Sequence, residues 1–351
     1  MSFPRLPLKK QRDVDYQLGR LFGRGNFTSV YHAVELSTGT SVAMKMIDRY
    51  RCERLHKTPD IWMEKHVLQR LNHPNIAKLY NHFTDSVTVY VVLEECAGGE
   101  LWELVKTIGC CDRVARHWFA QLLSAMTYLR QARIVHRDLK AENVMMKEGV
   151  IKLIDFGTAK DLENPQIKGA GNKSRNKVFE NYVGTPQFMA PEVIENKCTD
   201  FRSDTWSLGC LFFQVLVGAP PFHGLSEYLI FMRIKDLDLK FPQGISTLAR
   251  DLLVRMIVQV PDARLGAHDL AQVRAHPFFA GVAFEDPHLV PTPVLTLVDC
   301  CLQRIGRHLT TLFSDVSNSS KLSLLSAEVQ ERLKRMQTVQ EWLDAATPPD
   351  H

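Results

Sequence analysis

The hydrophobic pattern of this chain changes period at Gly98-Gly99, and that change limits the possible architecture more than any other feature. From Tyr16 to about Leu93 the apolar residues fall into short β-rich runs, LGRLFG, SVYHAVE, SVAMKMI, IAKLYNHF and TVYVVLEE. One helical stretch interrupts them. There Thr58 is expected as the N-cap and Pro59 as the first helical residue, with Ile61, Val67, Leu68 and Leu71 on an apolar stripe. Beyond Gly99 the runs lengthen to helical period: ELWELVKTI, RVARHWFAQLLSAMTYLRQA, and the stretches 204–218 and 246–258. The pattern predicts an α+β, bilobal fold, with a small antiparallel β lobe carrying one major helix and a larger, mostly α lobe. A helical C-terminal extension follows. The expected divisions are an N-terminal segment 1–15, a two-lobed domain 16–279 and the extension 280–351. Within the domain the small lobe runs to about 93, a hinge spans 94–97 and the large lobe spans 98–279.

With 351 residues, 45% of them hydrophobic, the chain can fill two packed cores. The net charge of +4 is small and dispersed, so no nucleic acid or membrane is called for as a partner. The amino terminus lacks the apolar core of a secretory signal, and no apolar run approaches the ~18 residues of a membrane span. LGCLFFQVLVGAPPF, which ends in Pro-Pro, reads as a buried helix. The eight cysteines show no C-x-x-C pair and read as reduced thiols, which places the protein in the cytoplasm or the nucleus. Residues 161–181 are polar, without periodicity, and are expected to form a long loop. In the extension, Val329, Leu333, Met336, Val339 and Leu343 form a seam that reads as a helix packed on the core, with a dimerising coiled coil as the alternative. The oligomeric expectation is a monomer or weak dimer.

Several short motifs carry chemistry. Gly23 and Gly25, followed by Val30, sit between two strand-like runs, where missing side chains let backbone amides close over phosphates. Alone, such a pair reads as an ordinary turn, and Thr28 stands where a third glycine would complete the pattern. Lys45 lies in an otherwise apolar strand and needs an anionic partner, for which Glu64 on the following helix is the candidate. In Ile134–Asn143, Asp138 can accept or orient a hydroxyl proton, Lys140 can neutralise phosphoryl charge, and Asn143 can ligate magnesium. Asp155, in Asp155-Phe156-Gly157, supplies a second metal-binding carboxylate. His136 and Phe156 read as packing elements that link the lobes, and Asp204, Trp206, Glu192 and Arg264 as a structural anchor.

The order of these motifs, closed by Ala190-Pro191-Glu192, is the protein-kinase signature. Over residues 16–279 the chain resembles a serine/threonine protein kinase of the AGC group, and within it the 3-phosphoinositide-dependent protein kinases. The likeness rests on His136–Asn143, Asp155–Lys160, Val183-Gly184-Thr185 with Gln187, Glu227–Phe231, Ala249–Leu252, Arg264–Gly266 and Ala275–Phe279. It implies transfer from ATP, with Mg2+, to Ser or Thr hydroxyls of protein substrates, chiefly the activation loops of other AGC kinases with hydrophobic-motif tails. Lys45, Glu64, Asp138 and Lys140 would be catalytic, and Asn143 and Asp155 would hold the metal. Adenine would lie under Val30 and Ala43 and over Met145, bonded to backbone near Glu94 and Cys96 with Leu93 behind. Arg49, Ile61, Lys65 and Val89 would line a docking groove for substrate tails, with Lys65 and Lys10 near the docked phosphate.

Three departures follow. Asn181, preceded by Glu180, stands where the family carries an activation-loop serine, so either the loop is active unphosphorylated or Ser174 or Thr185 serves. A lipid-binding domain needs ~100 residues, more than 280–351 supplies, so phosphoinositide binding is not expected. Cys52, Glu53 and Trp62 are not the small aliphatics expected near the groove. A scaffold that keeps the fold without catalysis, and a kinase of the same group with different substrates, stand as alternatives.

Overall fold

In the computed structural model the described residues are 5–6, 15–106, 109–165, 183–197, 199–282 and 284. The strands β1 (Arg5–Leu6), β2 (Tyr16–Arg24), β3 (Thr28–Glu35), β4 (Ser41–Asp48), β5 (Leu79–Thr84) and β6 (Thr88–Glu94) form one antiparallel sheet in the order 1-2-3-4-6-5. β1 lies in the segment expected to precede the domain; two residues beside Tyr16 and Gln17 give too short a signal to read from sequence.

Two helices, not one, interrupt this sheet. α1 (Arg49–Arg54) begins where the Asp48 carboxylate accepts the Arg51 N–H at 2.9 Å, an ordinary N-cap. α2 (Thr58–Arg70) starts at the residue expected to cap it, one position earlier than the sequence suggests. Lys57 is the N-cap and makes no side-chain cap bond, so Thr58 is already helical and Pro59 sits in the first turn. Val67 and Leu68 on α2 and Leu71 at its C-cap are buried in the same apolar cluster as Phe119, Phe156 and Phe212 of the large lobe. Burial of each such side chain contributes about 1.5–3 kcal/mol, which ties the small-lobe helix to the large lobe.

The large lobe contains α3 (Leu101–Val105), α4 (Asp112–Gln131), β7 (Ile134–Val135), β8 (Val144–Lys147), β9 (Val150–Leu153), β10 (Lys160–Asp161), α5 (Pro191–Ile194), α6 (Phe201–Val217), α7 (Glu227–Lys235) and α8 (Thr247–Met256). α6 is buried along nearly its whole length, and Gly218, at φ 81°, ends it in the left-handed conformation that a C-terminal glycine accepts without strain. Ser246 caps α8 through its hydroxyl. Among the described residues no helix is long and apolar enough to cross a membrane, and none of the five described cysteines is joined in a disulfide.

A buried ion pair fastens this lobe. Arg264 donates to both Glu192 oxygens at 2.7 Å, to the carbonyls of Arg202, Gln259 and Val258, and lies over the Trp206 ring. Ser203 donates to Glu192 at 2.8 Å. The loop expected over 161–181 begins later than its composition suggests: Asp161 is in β10, paired with Ile134, and is 2% exposed. Residues 166–182, with Ser174, Glu180 and Asn181, lie outside the described residues, as do Lys10 and the C-terminal seam from Val329 to Leu343.

Candidate active site

β4 runs through the middle of the small-lobe sheet, which carries Lys45 toward the space between the lobes. Its Nζ reaches both Glu64 oxygens, at 2.8 and 2.7 Å, and Glu64 is 4% exposed. Burial by itself would discharge Lys45, but the carboxylates of Glu64 and Asp155 outweigh it and hold the ammonium above the ordinary lysine range. The pair predicted from sequence is formed.

The turn joining β2 and β3 is closed by the Gly25 N–H donating to Thr28 O at 2.8 Å. A Cβ on Gly23 would meet nothing within 4 Å, so open space lies beside the backbone there. A Cβ on Gly25 would come within 2.8 Å of Thr28 Oγ1, so Thr28 crowds the turn where a third glycine would leave it open. In the cross-strand register Val30 faces Lys45 and Ala43 faces Leu93, which brings the predicted adenine-roof residues to one sheet position. Val30, Ala43, Leu93, Cys96 and Met145 are each half-buried. The Glu94 carboxylate is engaged by Lys147 at 2.8 Å and Lys152 at 2.9 Å, and its N–H donates to Lys78 O. That N–H is therefore not the donor a base would use. Burial pushes the Cys96 thiol up to about 11, so it stays protonated at neutral pH.

The catalytic loop is fixed from below. Asp204, buried on α6, accepts the N–H groups of His136 at 2.7 Å and Arg137 at 2.9 Å. His136 packs edge-on to Phe156, with ring centroids 4.8 Å apart, so the residues expected to link the lobes do touch. These contacts leave Asp138 at the end of a rigid support. Its carboxylate meets Lys140 Nζ at 2.9 Å, accepts from Thr185 Oγ1 at 2.7 Å and accepts from Asn143 Nδ2 at 2.9 Å. Burial would raise its pKa, but Lys140 and the hydrogen bonds prevail and hold it below the usual carboxylate range, so Asp138 is ionised at neutral pH.

Thr185 has a larger part here than its motif suggests. Its hydroxyl accepts from Lys140 Nζ at 2.7 Å while donating to Asp138. That engagement counts against Thr185 as the phosphorylated residue of the loop, one of the two options the sequence left open. The preceding Gly184, at φ 111°, would put a Cβ 2.5 Å from Arg137 O, so only glycine brings Thr185 this close.

Asn143 donates through Nδ2 to Asp138 O and Oδ2, which turns its Oδ1 away from that carboxylate. Asp155 is exposed and holds a left-handed backbone at φ 61°; its Oδ1 accepts from Gly157 N–H at 3.2 Å. One carboxylate and one amide oxygen are hard donors that fit Mg2+, which takes one or two protein oxygens and completes its shell with phosphate and water. Among the described residues no group of three or more His, Cys, Asp or Glu side chains forms a metal cage.

In the predicted docking groove, Ile61 and Val89 pack against the Ile47, Cys52 and Val91 cluster. Arg49 donates to Asp85 O at 3.0 Å. Lys65 lies over the Trp62 ring at 4.9 Å, and burial lowers its pKa. Cys52 is buried, and Trp62 is 50% exposed. Sequence reading missed the cluster of His66, Arg70 and Asp161, three residues that no motif or periodicity joins.

The protein kinase domain family matches residues 16–279. The human putative 3-phosphoinositide-dependent protein kinase 2 is 37% identical over 293 residues, covering 82% of this chain and 72% of that protein. The human 3-phosphoinositide-dependent protein kinase 1 is 37% identical over 82% of this chain and 51% of its own length. The protein of that name from Arabidopsis thaliana is 36% identical over 80% of this chain and 59% of its own. The chain thus spans from 51% to 72% of the length of these relatives. Motif order, the Lys45–Glu64 and Asp138–Thr185 geometry and these matches together place the chain in the protein kinase family, among the AGC-group serine/threonine kinases related to the 3-phosphoinositide-dependent protein kinases.

Proposed function

We propose that this protein transfers the γ-phosphoryl group of ATP to serine or threonine hydroxyls, and that its substrates are activation loops of other AGC kinases. The observation that carries the reading is the closed Lys45–Glu64 pair, at 2.7 Å, in the same molecule as an ionised and fully supported Asp138. Lys45, held by Glu64, grips the α- and β-phosphates, and the Gly23–Gly25 backbone covers them. Mg2+ held by Asn143 Oδ1 and Asp155 would supply charge neutralisation across the phosphate oxygens. Asp138 orients the acceptor hydroxyl and takes its proton, while Lys140, already bonded to Asp138 and Thr185, meets negative charge on the moving group. Positioning by His136, Arg137 and Asp204 keeps these atoms in place before substrate arrives.

The choice of AGC activation loops is supported by the relatives and by the apolar floor under Ile61 and Val89. An activation-loop peptide fused to an F-x-x-F tail is expected to be phosphorylated with kcat/KM at least about tenfold above the tail-free peptide. Lys65→Ala is expected to remove part of that gain. Exposed Trp62 favours a second reading, a kinase of this group with other substrates, and indifference to the tail would select it.

A further inference from the structure

Asp161 is 2% exposed and sits on β10, whose partner strand β7 runs directly into His136-Arg137-Asp138. Its Oδ1 accepts the N–H groups of Glu163 at 2.9 Å and Asn164 at 3.2 Å, and Asn164 Nδ2 donates to Oδ2 at 3.0 Å. Those bonds fix the carboxylate from its own loop. Its Oδ2 then faces α2, where it meets His66 Nε2 at 2.8 Å and Arg70 Nη1. Arg70 also bonds Glu163 and donates to Ala132 O at 3.3 Å. Residues four apart share a helix face, so His66 and Arg70 present their donors along one edge beside the buried Val67, Leu68 stripe. Burial opposes ionisation of Asp161, but the bonds from Asn164, His66 and Arg70 carry its carboxyl well below the usual range.

The placement has a mechanical consequence. Glu64 is on the same helix, so the orientation of α2 sets whether Glu64 reaches Lys45. Apolar contacts alone let a helix roll or slide on its stripe. A charged contact at a second edge, anchored in the strand beside the catalytic loop, resists that rotation.

We propose that Asp161 is a positioning residue for phosphoryl transfer, clamping α2 through His66 and Arg70 so that Glu64 stays on Lys45. The clamp rests on the kinase reading above. It acts before nucleotide binds, and its effect passes through Glu64.

The test is a double-mutant cycle on the full chain, read by kcat and KM for ATP and by equilibrium binding of a fluorescent ATP analogue, with thermal melts to confirm folding at the assay temperature. Asp161→Asn is expected to lower kcat/KM for ATP about tenfold, the size of coupling ordinary for networked side chains. In a Glu64→Gln background the same change is expected to cost less than about twofold, because the contact it protects is already gone. Arg70→Met should follow the same pattern, and Arg70→Lys, which keeps the cation, should retain most of the activity. Full activity of Asp161→Asn, or an equal loss with and without Glu64, would overturn the proposal. A wild-type protein that transfers no phosphate would instead overturn the kinase reading, and analogue binding would still report on the clamp.

Discussion

Asp155→Asn is expected to lower phosphoryl transfer by about 10³-fold, since a bound metal supplies several kcal/mol of transition-state stabilisation, while leaving the fold intact. The carboxylate is exposed and accepts a single local bond, from Gly157 N–H at 3.2 Å, so little packing depends on it. Asparagine is the right replacement because the backbone at this position is left-handed, at φ 61°, a conformation that Asn tolerates and Ala resists. Phe156 stays buried in the cluster that also holds Val67 and Leu68 of α2, so the lobes remain linked. Initial rates at saturating ATP and Mg2+, with a melting curve alongside, check this. Transfer near the wild-type rate would remove Asp155 from the metal site.

The second large effect is on stability. Arg264→Ala is expected to cost about 3–5 kcal/mol, the usual penalty for removing one partner of a buried pair. Glu192 is 6% exposed and, among the described residues, would keep only the Ser203 hydroxyl as a side-chain donor, while three backbone carbonyls would lose the guanidinium. Equilibrium urea denaturation measures the loss. The pair Glu192→Met with Arg264→Met should be less damaging than Arg264→Ala alone, because no unpaired charge is then buried. A single-mutant loss below about 1 kcal/mol would mean that water reaches Glu192 and the anchor is weak.

The candidate site residues that the fold brings together were legible in the sequence because their chemistry restricts both residue type and neighbourhood. Lys45 in an apolar strand demanded an anion, and Glu64 on α2 is the one it meets, at 2.7 Å. The switch of hydrophobic period at Gly98-Gly99 gave the two lobes for the same reason: a strand alternates and a helix does not. Features decided by tertiary contact were not legible. Asp161 sits in a polar stretch that reads as loop, and only the fold brings His66 and Arg70 to it. Thr185 was noted as part of a motif, but its bridge between Lys140 and Asp138 depends on the close approach that Gly184 permits. The short helix α1 was hidden because six residues carry too little periodicity, although Asp48 as its cap was a usable signal.

The most direct measurement is transfer of label from γ-labelled ATP, with Mg2+, onto the Ser or Thr of an AGC activation-loop peptide by the purified protein and its Asp138→Asn variant. An amide at 138 would turn an NH2 toward Lys140, Thr185 or Asn143, all of which now donate to the carboxylate, and could not take the hydroxyl proton. The account predicts labelled Ser or Thr with the wild type and a rate about 10²–10⁴-fold lower with Asp138→Asn. A folded wild-type protein that binds ATP and labels neither residue, or an Asp138→Asn variant as fast as wild type, would contradict it.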